Sequence, residues 1–189
     1  LPQETKQFEH HLQHARKCLS VLTSISDPKG NVSESLDQKT IRFTLNGETR
    51  EATVEPHRLL TDFLRHDLNL TGTRVSCDVE ICGACTVLIY GVPVSACATP
   101  AFEIDGKLVL TIEGLSDGGK LHPIQQAFWE EGGFECGYCT PGMILSTHAL
   151  LNENPNPAES EIKHHLAPYD VGQVGLVFAL AARARIDEL

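Results

Sequence analysis

Cys77-Asp-Val-Glu-Ile-Cys82-Gly-Ala-Cys85-Thr-Val87 is the stretch on which the fold turns, and a fourth cysteine, Cys97, is separated from Cys85 by eleven residues. Six of the seven cysteines in the 189-residue chain lie at such short spacings, the remaining pair being Cys136 and Cys139. In an acidic, enzyme-like chain this clustering points to metal rather than to a disulfide framework. Working outward, residues 86–90 (Thr-Val-Leu-Ile-Tyr) and 108–112 are dense in β-branched and apolar side chains, which predicts strands. Upstream, Ile41, Phe43 and Leu45 alternate with polar residues, Asn46-Gly47 supplies a tight turn, and Ala52 and Val54 continue a return strand. Pro56 is positioned to open a helix lined on one face by Leu59, Leu60, Phe63, Leu64 and Leu68. Together these predict an α+β domain over 39–117: a small mixed sheet, a helix packed across it, and a cysteine loop.

The flanks differ in character. Phe8, Leu12, Ala15, Leu19 and Leu22 form one apolar helical stripe, predicting a helix from Glu4 to Ser24 that Asp27-Pro28-Lys29-Gly30-Asn31 ends; 1–38 is thus an N-terminal helix plus linker. A lone helix with one apolar stripe needs a cover, and a partner subunit is the favoured one. Residues 118–189 look helical throughout, with Pro123 and Pro141 suited to first helical turns, Ser160 as cap of a helix from Glu161, and a last helix over Val174–Ala184; four such helices can form a bundle. A net charge of −10 argues against a nucleic-acid partner, and the run Val174–Ala182 is far too short for a membrane span. No lipidation motif or signal peptide is visible, but the sequence begins at Leu1, which leaves room for a removed leader. Because thiolate metal sites assemble in the cytosol, a cytoplasmic protein is expected, with the periplasm as alternative if an export signal has been removed.

The cysteine spacing itself carries the chemistry. Cys77-x4-Cys82-x2-Cys85 followed by Cys97 matches the plant-type 2Fe–2S ligand order. Such a cluster needs four thiolates around one volume, and Gly83 and Ala84 leave room for backbone to wrap the sulfides and aim N–H groups at them, hydrogen bonds that help set the potential. Gly72 and Ser76 keep the approach slim. The alternative is structural zinc, but zinc ribbons pair their ligands as CxxC knuckles, and the x4-then-x2 spacing differs. Arg74, Asp78 and Glu80 are candidates for tuning potential or docking. Cys136-Gly-Tyr-Cys139 precedes a helix; by itself it fits a redox dithiol, half a metal site or two buried thiols. His11, His14 and Cys18 share a helix face that is more simply solvated than metal-binding, His122 suits a helix cap, and Trp129 and Tyr138 suit the core. Glu130 and Glu131 suit a solvated face. No hydrolase triad or phosphate loop is present, so substrate chemistry is expected on another chain.

The stretches CDVEICGACTV (Cys77–Val87), LHPIQ (Leu121–Gln125) and CGYCTPGM (Cys136–Met143), in this order, resemble the small iron–sulfur subunit of the xanthine oxidase family of molybdenum hydroxylases, over roughly residues 40–180. The resemblance implies a ferredoxin-like (β-grasp) domain holding one 2Fe–2S cluster through Cys77, Cys82, Cys85 and Cys97, and a four-helix domain that in the family carries a second cluster nearer the molybdopterin. It implies a large molybdopterin-binding subunit as partner, and electrons passing from molybdenum to a flavin or another acceptor. The second site departs from the family pattern: a later Cys-Arg-Cys is replaced by Val171-Gly172-Gln173, no cysteine follows Cys139, and Glu135 stands where Gln is usual. One cluster is therefore expected, with Cys136 and Cys139 left as buried thiols of a lost site. The competing reading completes that site with His164, His165, Asp170 or a partner's cysteine. The function expected is that of an electron-transfer subunit in a multi-subunit oxidoreductase; the alternatives are a stand-alone ferredoxin-like carrier and a scaffold whose cluster is structural.

Overall fold

In the computed structural model, which describes residues 38–169, the alternation of Ile41, Phe43 and Leu45 with polar neighbours produces β1 (Lys39–Leu45), whose three apolar side chains are buried. Asn46 and Gly47 both take positive φ and turn the chain into β2 (Glu48–Val54). This turn residue also acts at long range: Asn46 Oδ1 accepts from the Thr111 amide at 2.9 Å and Nδ2 donates to Thr111 Oγ1 at 3.0 Å. β3 (Thr86–Ile89), β4 (Val92–Ser95) and β5 (Leu108–Leu110) complete one mixed sheet in the order β2-β1-β5-β3-β4, with β1 and β5 parallel and the other pairs antiparallel. β4 is an element that composition hides, because Pro93 argues against a strand. As the sheet edge it tolerates the missing donor.

The helix expected from Pro56 begins later. The chain turns at residues 55–58, and α1 comprises Leu60–Asp62 followed by a wider π-type turn, Phe63–Asp67. The widening shows in the Leu68 amide, which donates five residues back to Phe63 at 3.1 Å. Leu60, Phe63 and Leu64 still pack with β1, Val87 and Ile89 in the first core.

α2 (Pro123–Glu130), α3 (Thr140–Glu153) and α4 (Glu159–His165) follow, with Pro123 and Pro141 in first turns as expected. Ser160 is not the cap of α4. The cap position is Ala158, whose amide donates to Glu161 Oε2 at 2.6 Å, so the carboxylate caps from inside the helix. α3 buries nearly its whole surface because it is packed on several sides. Leu145 and Ala149 meet Leu88 of β3, while Met143, Ile144, Leu150 and Leu151 join Ile124, Phe128 and Ile162. The all-buried pattern of β3 has the same origin, with Val87 and Ile89 in one core and Leu88 against α3. The described residues all fall within one compact unit. The helices expected over Glu4–Ser24 and Val174–Ala184, and His11, His14, Cys18, Asp170, Val171 and Gln173, lie outside the described residues. Among the described residues, no helix is long and apolar enough to cross a membrane.

Candidate metal centre

The loop between α1 and β3 is anchored at its start by α1. Arg65 Nη1 donates to the carbonyls of Thr71 and Thr73 at 2.9 and 2.8 Å. Gly72 is small for a packing reason: its amide donates to Glu113 Oε1 at 2.7 Å, and a Cβ there would lie 2.3 Å from Ile112 Cγ2. Asp78, Glu80 and Gly83 take left-handed φ of 59°, 59° and 69°, which coils the loop tightly around its own cysteines.

That coil turns backbone donors onto sulfur. The Ile81 and Cys82 amides each donate to Cys77 Sγ at 3.3 Å. Hydrogen bonds from the backbone of Val79, Cys82 and Ile81 pull the Cys77 thiol down to about 6, so it is largely thiolate at neutral pH. Cys85 and Cys97 are buried, and burial pushes the Cys85 thiol up to about 12, opposed by a hydrogen bond from the Cys97 backbone. Cys82 meets Cys77 through its own amide, and Cys97 follows Ala96, whose amide donates to the Cys85 carbonyl at 3.3 Å. The structure thus places the four expected residues as two pairs, Cys77 with Cys82 and Cys85 with Cys97.

This donor set fits a two-iron cluster. One thiol is already charged by backbone donors, whereas a buried thiol such as Cys85 ionises only if bound cations replace its lost hydration. Among the described residues no three His, Cys, Asp or Glu side chains converge as one ion requires; a two-iron cluster would be held by the two cysteine pairs, its four thiolates spread over a larger volume than the ligands of one ion. Arg74 Nε, beside the loop, is buried without a hydrogen-bond partner.

Cys136 and Cys139 depart from expectation. Cys139 stands at the cap position of α3 as its motif predicts, but it is only half-buried, and Cys136 is exposed. They are not buried thiols, because the loop 132–138 rides on the surface before α3 begins. Cys139 is pushed up first by burial, then by Cys136 and Cys82, which sets this pair beside the four-cysteine loop. Two thiols do not fit a cluster that takes four. Of the alternative ligands, His165 lies against Ser146 and Glu153, and His164 is exposed.

Tyr138 and Trp129 are not core residues: they are 44% and 68% exposed. Tyr138 instead links the two cysteine segments, donating to the Val75 carbonyl at 2.6 Å while Arg74 lies 5.7 Å from its ring centroid. His122 does cap α2, its Nδ1 accepting from the Ile124 amide at 3.3 Å and its own amide donating to Gln125 Oε1 at 2.9 Å. Asp78, Glu80, Glu130, Glu131 and Glu135 are exposed. What the motifs missed is Tyr169, which packs against the turn at 82–85 from a position 83 residues beyond Thr86, its hydrogen-bond partner. No local pattern marks such a residue.

Two family models match the chain in succession: the 2Fe-2S iron–sulfur cluster binding domain over residues 43–111 and the 2Fe-2S binding domain over residues 111–168. The small FeS subunit of nicotinate dehydrogenase from Eubacterium barkeri is 45% identical over 127 residues, covering 67% of this chain and 81% of that one. A probable xanthine dehydrogenase subunit of Bacillus subtilis is 47% identical over 130 residues, 69% of this chain and 75% of that one. Among solved structures, a chain of quinoline 2-oxidoreductase from Pseudomonas putida 86 superposes with a TM-score of 0.74 at 34% identity, covering 80% of this chain and 97% of that chain. With a coiled four-cysteine loop on a mixed sheet, a CxxC pair at a helix cap, and these relatives, the chain belongs to the small iron–sulfur subunits of the xanthine oxidase family of molybdenum hydroxylases, the electron-transfer components of multi-subunit oxidoreductases.

Proposed function

We propose that Cys77, Cys82, Cys85 and Cys97 hold one 2Fe–2S cluster, and that the chain connects a large molybdopterin-binding partner to a flavin subunit or another electron acceptor. The observation that most supports this reading is Cys77, whose sulfur takes two backbone N–H donors at 3.3 Å beside two apposed, buried thiols. When bound, such a cluster takes up and returns one electron. The chain's own contribution is electrostatic and steric. The amides of Ile81 and Cys82 stabilise negative charge on Cys77, and the burial of Cys85 and Cys97 keeps water from that side of the pocket. The domain limits in this reading are 1–38 for the N-terminal helix and linker, 39–117 for the ferredoxin-like domain and 118–189 for the helical domain.

In the same reading the helical domain has lost its cluster. Cys136 and Cys139 supply half of a four-thiolate set, and no cysteine follows them in the sequence. Iron and acid-labile sulfide per chain, with low-temperature EPR of the reduced protein, test this. Two irons and one rhombic signal are expected; four irons and two signals would require ligands other than this chain's cysteines at the second site.

A further inference from the structure

Thr86, Tyr169 and Ser146 are all buried, and their hydroxyls form a chain that ends in the four-cysteine loop. Thr86 Oγ1 donates to the Gly83 carbonyl at 2.7 Å, Tyr169 Oη lies 2.8 Å from Thr86 Oγ1, and Ser146 Oγ lies 2.7 Å from Tyr169 Oη. Proton counting gives the chain a direction. The single Thr86 proton is committed to Gly83, so Tyr169 donates to Thr86 and accepts from Ser146. Burial raises the Tyr169 phenol above its ordinary value, so it stays a neutral hydroxyl. The ring fits only where two side chains are missing. A Cβ on Gly83 would lie 2.6 Å from Tyr169 Cε1, and one on Gly142 would lie 3.1 Å from the same atom and 2.4 Å from the Gly83 carbonyl oxygen.

We propose that Tyr169 is a positioning residue for the cluster: its ring clamps the turn at 82–85 against α3, and its hydroxyl, through Thr86, polarises the Gly83–Ala84 peptide. The inference rests on the four-cysteine assignment. Aligned hydroxyls strengthen one another, and donation to the Gly83 carbonyl enhances the dipole of the same peptide's N–H, that of Ala84, between Cys82 and Cys85. Stronger amide dipoles favour the more negatively charged, reduced state and so raise the potential.

The test compares Tyr169→Phe, Thr86→Val, Ser146→Ala and Tyr169→Leu in the full chain, purified with the subunits that accompany it. Readouts are iron content, visible circular dichroism, the potential of the cluster signal and its loss to a chelator. Tyr169→Phe keeps the ring and is expected to retain iron while shifting the potential to more negative values. Thr86→Val is expected to shift it further, and Ser146→Ala less, because it removes only the far end of the chain. Tyr169→Leu is expected to lose iron to the chelator at least several-fold faster. Wild-type potential and visible dichroism in Tyr169→Phe and Thr86→Val would overturn the proposal while leaving the cluster assignment standing. Absence of iron and sulfide from the wild-type chain would overturn the assignment and the proposal together.

Discussion

Single residues divide here into the proposed ligands and those that make room for them. Cys97 is buried beside Cys85, so Cys97→Ser is expected to bleach most visible absorption and lower bound iron. Cys136 is exposed, and in the proposed one-cluster reading its pair holds no iron, so Cys136→Ser is expected to leave absorption nearly intact. Equal bleaching by both would defeat the one-cluster reading. Gly83 serves the opposite need, the absence of a side chain. Its φ of 69° is costly for other residues, and an added methyl would strike the Tyr169 ring. Backbone strain alone costs about 1–3 kcal/mol, so Gly83→Ala is expected to lower the thermal midpoint measurably. Gly47→Ala, at positive φ but with open space around it, is expected to cost less. Equal losses would show that the contact with Tyr169 does not matter.

At the scale of the element, α2 and α3 meet through two histidines. The His122 and His148 rings pack edge to face at 5.3 Å between centroids. Burial lowers both below the ordinary imidazole value, and His122 lowers His148 further. His165 is lowered by burial as well. A histidine that resists protonation in the folded state is protonated more readily when unfolded, so its contribution is complete above about pH 6.5. It is lost as pH falls from there through the depressed folded value. Thermal midpoints followed by far-ultraviolet circular dichroism are expected to drop from pH 7 toward pH 5, and His148→Gln is expected to flatten that drop. An identical slope in the variant would remove this pair from the account. His122 also caps α2, and its replacement by Ala is expected to cost about 1 kcal/mol even at neutral pH.

At the scale of the whole molecule, the segment 76–83 of the four-cysteine loop has little packing of its own. Val79 and Ile81 are 62% and 69% exposed, and the segment 76–83 carries no regular secondary structure. Removing iron with a chelator is therefore expected to raise amide exchange first at 76–85, while α3, buried on several sides, stays protected. Uniform loss of protection along the chain would mean instead that the cluster holds the entire unit together. The sheet and the helices have separate apolar cores, joined where Leu88 meets Leu145 and Ala149. Substitution of Leu145 by Ala is expected to cost about 2–5 kcal/mol.

Much of this was legible without coordinates, for a physical reason. Three of the four thiols sit within nine residues, and a chain that short can bring them together only locally, so spacing alone marks the cysteine loop. The β1–β2 hairpin is equally local, since alternation and Asn46-Gly47 need no distant partner. The start of α1, the strand at Val92–Ser95 and the cap of α4 were not legible. Each depends on what the rest of the fold leaves at that spot: an edge for Pro93, the Thr99 carbonyl for the Leu60 amide, a free carboxylate for Ala158. Tertiary structure alone decided that Cys136 faces outward and that Tyr169 reaches Thr86, because contacts across 83 residues are set by the packing of α3 on β3 rather than by neighbours in sequence.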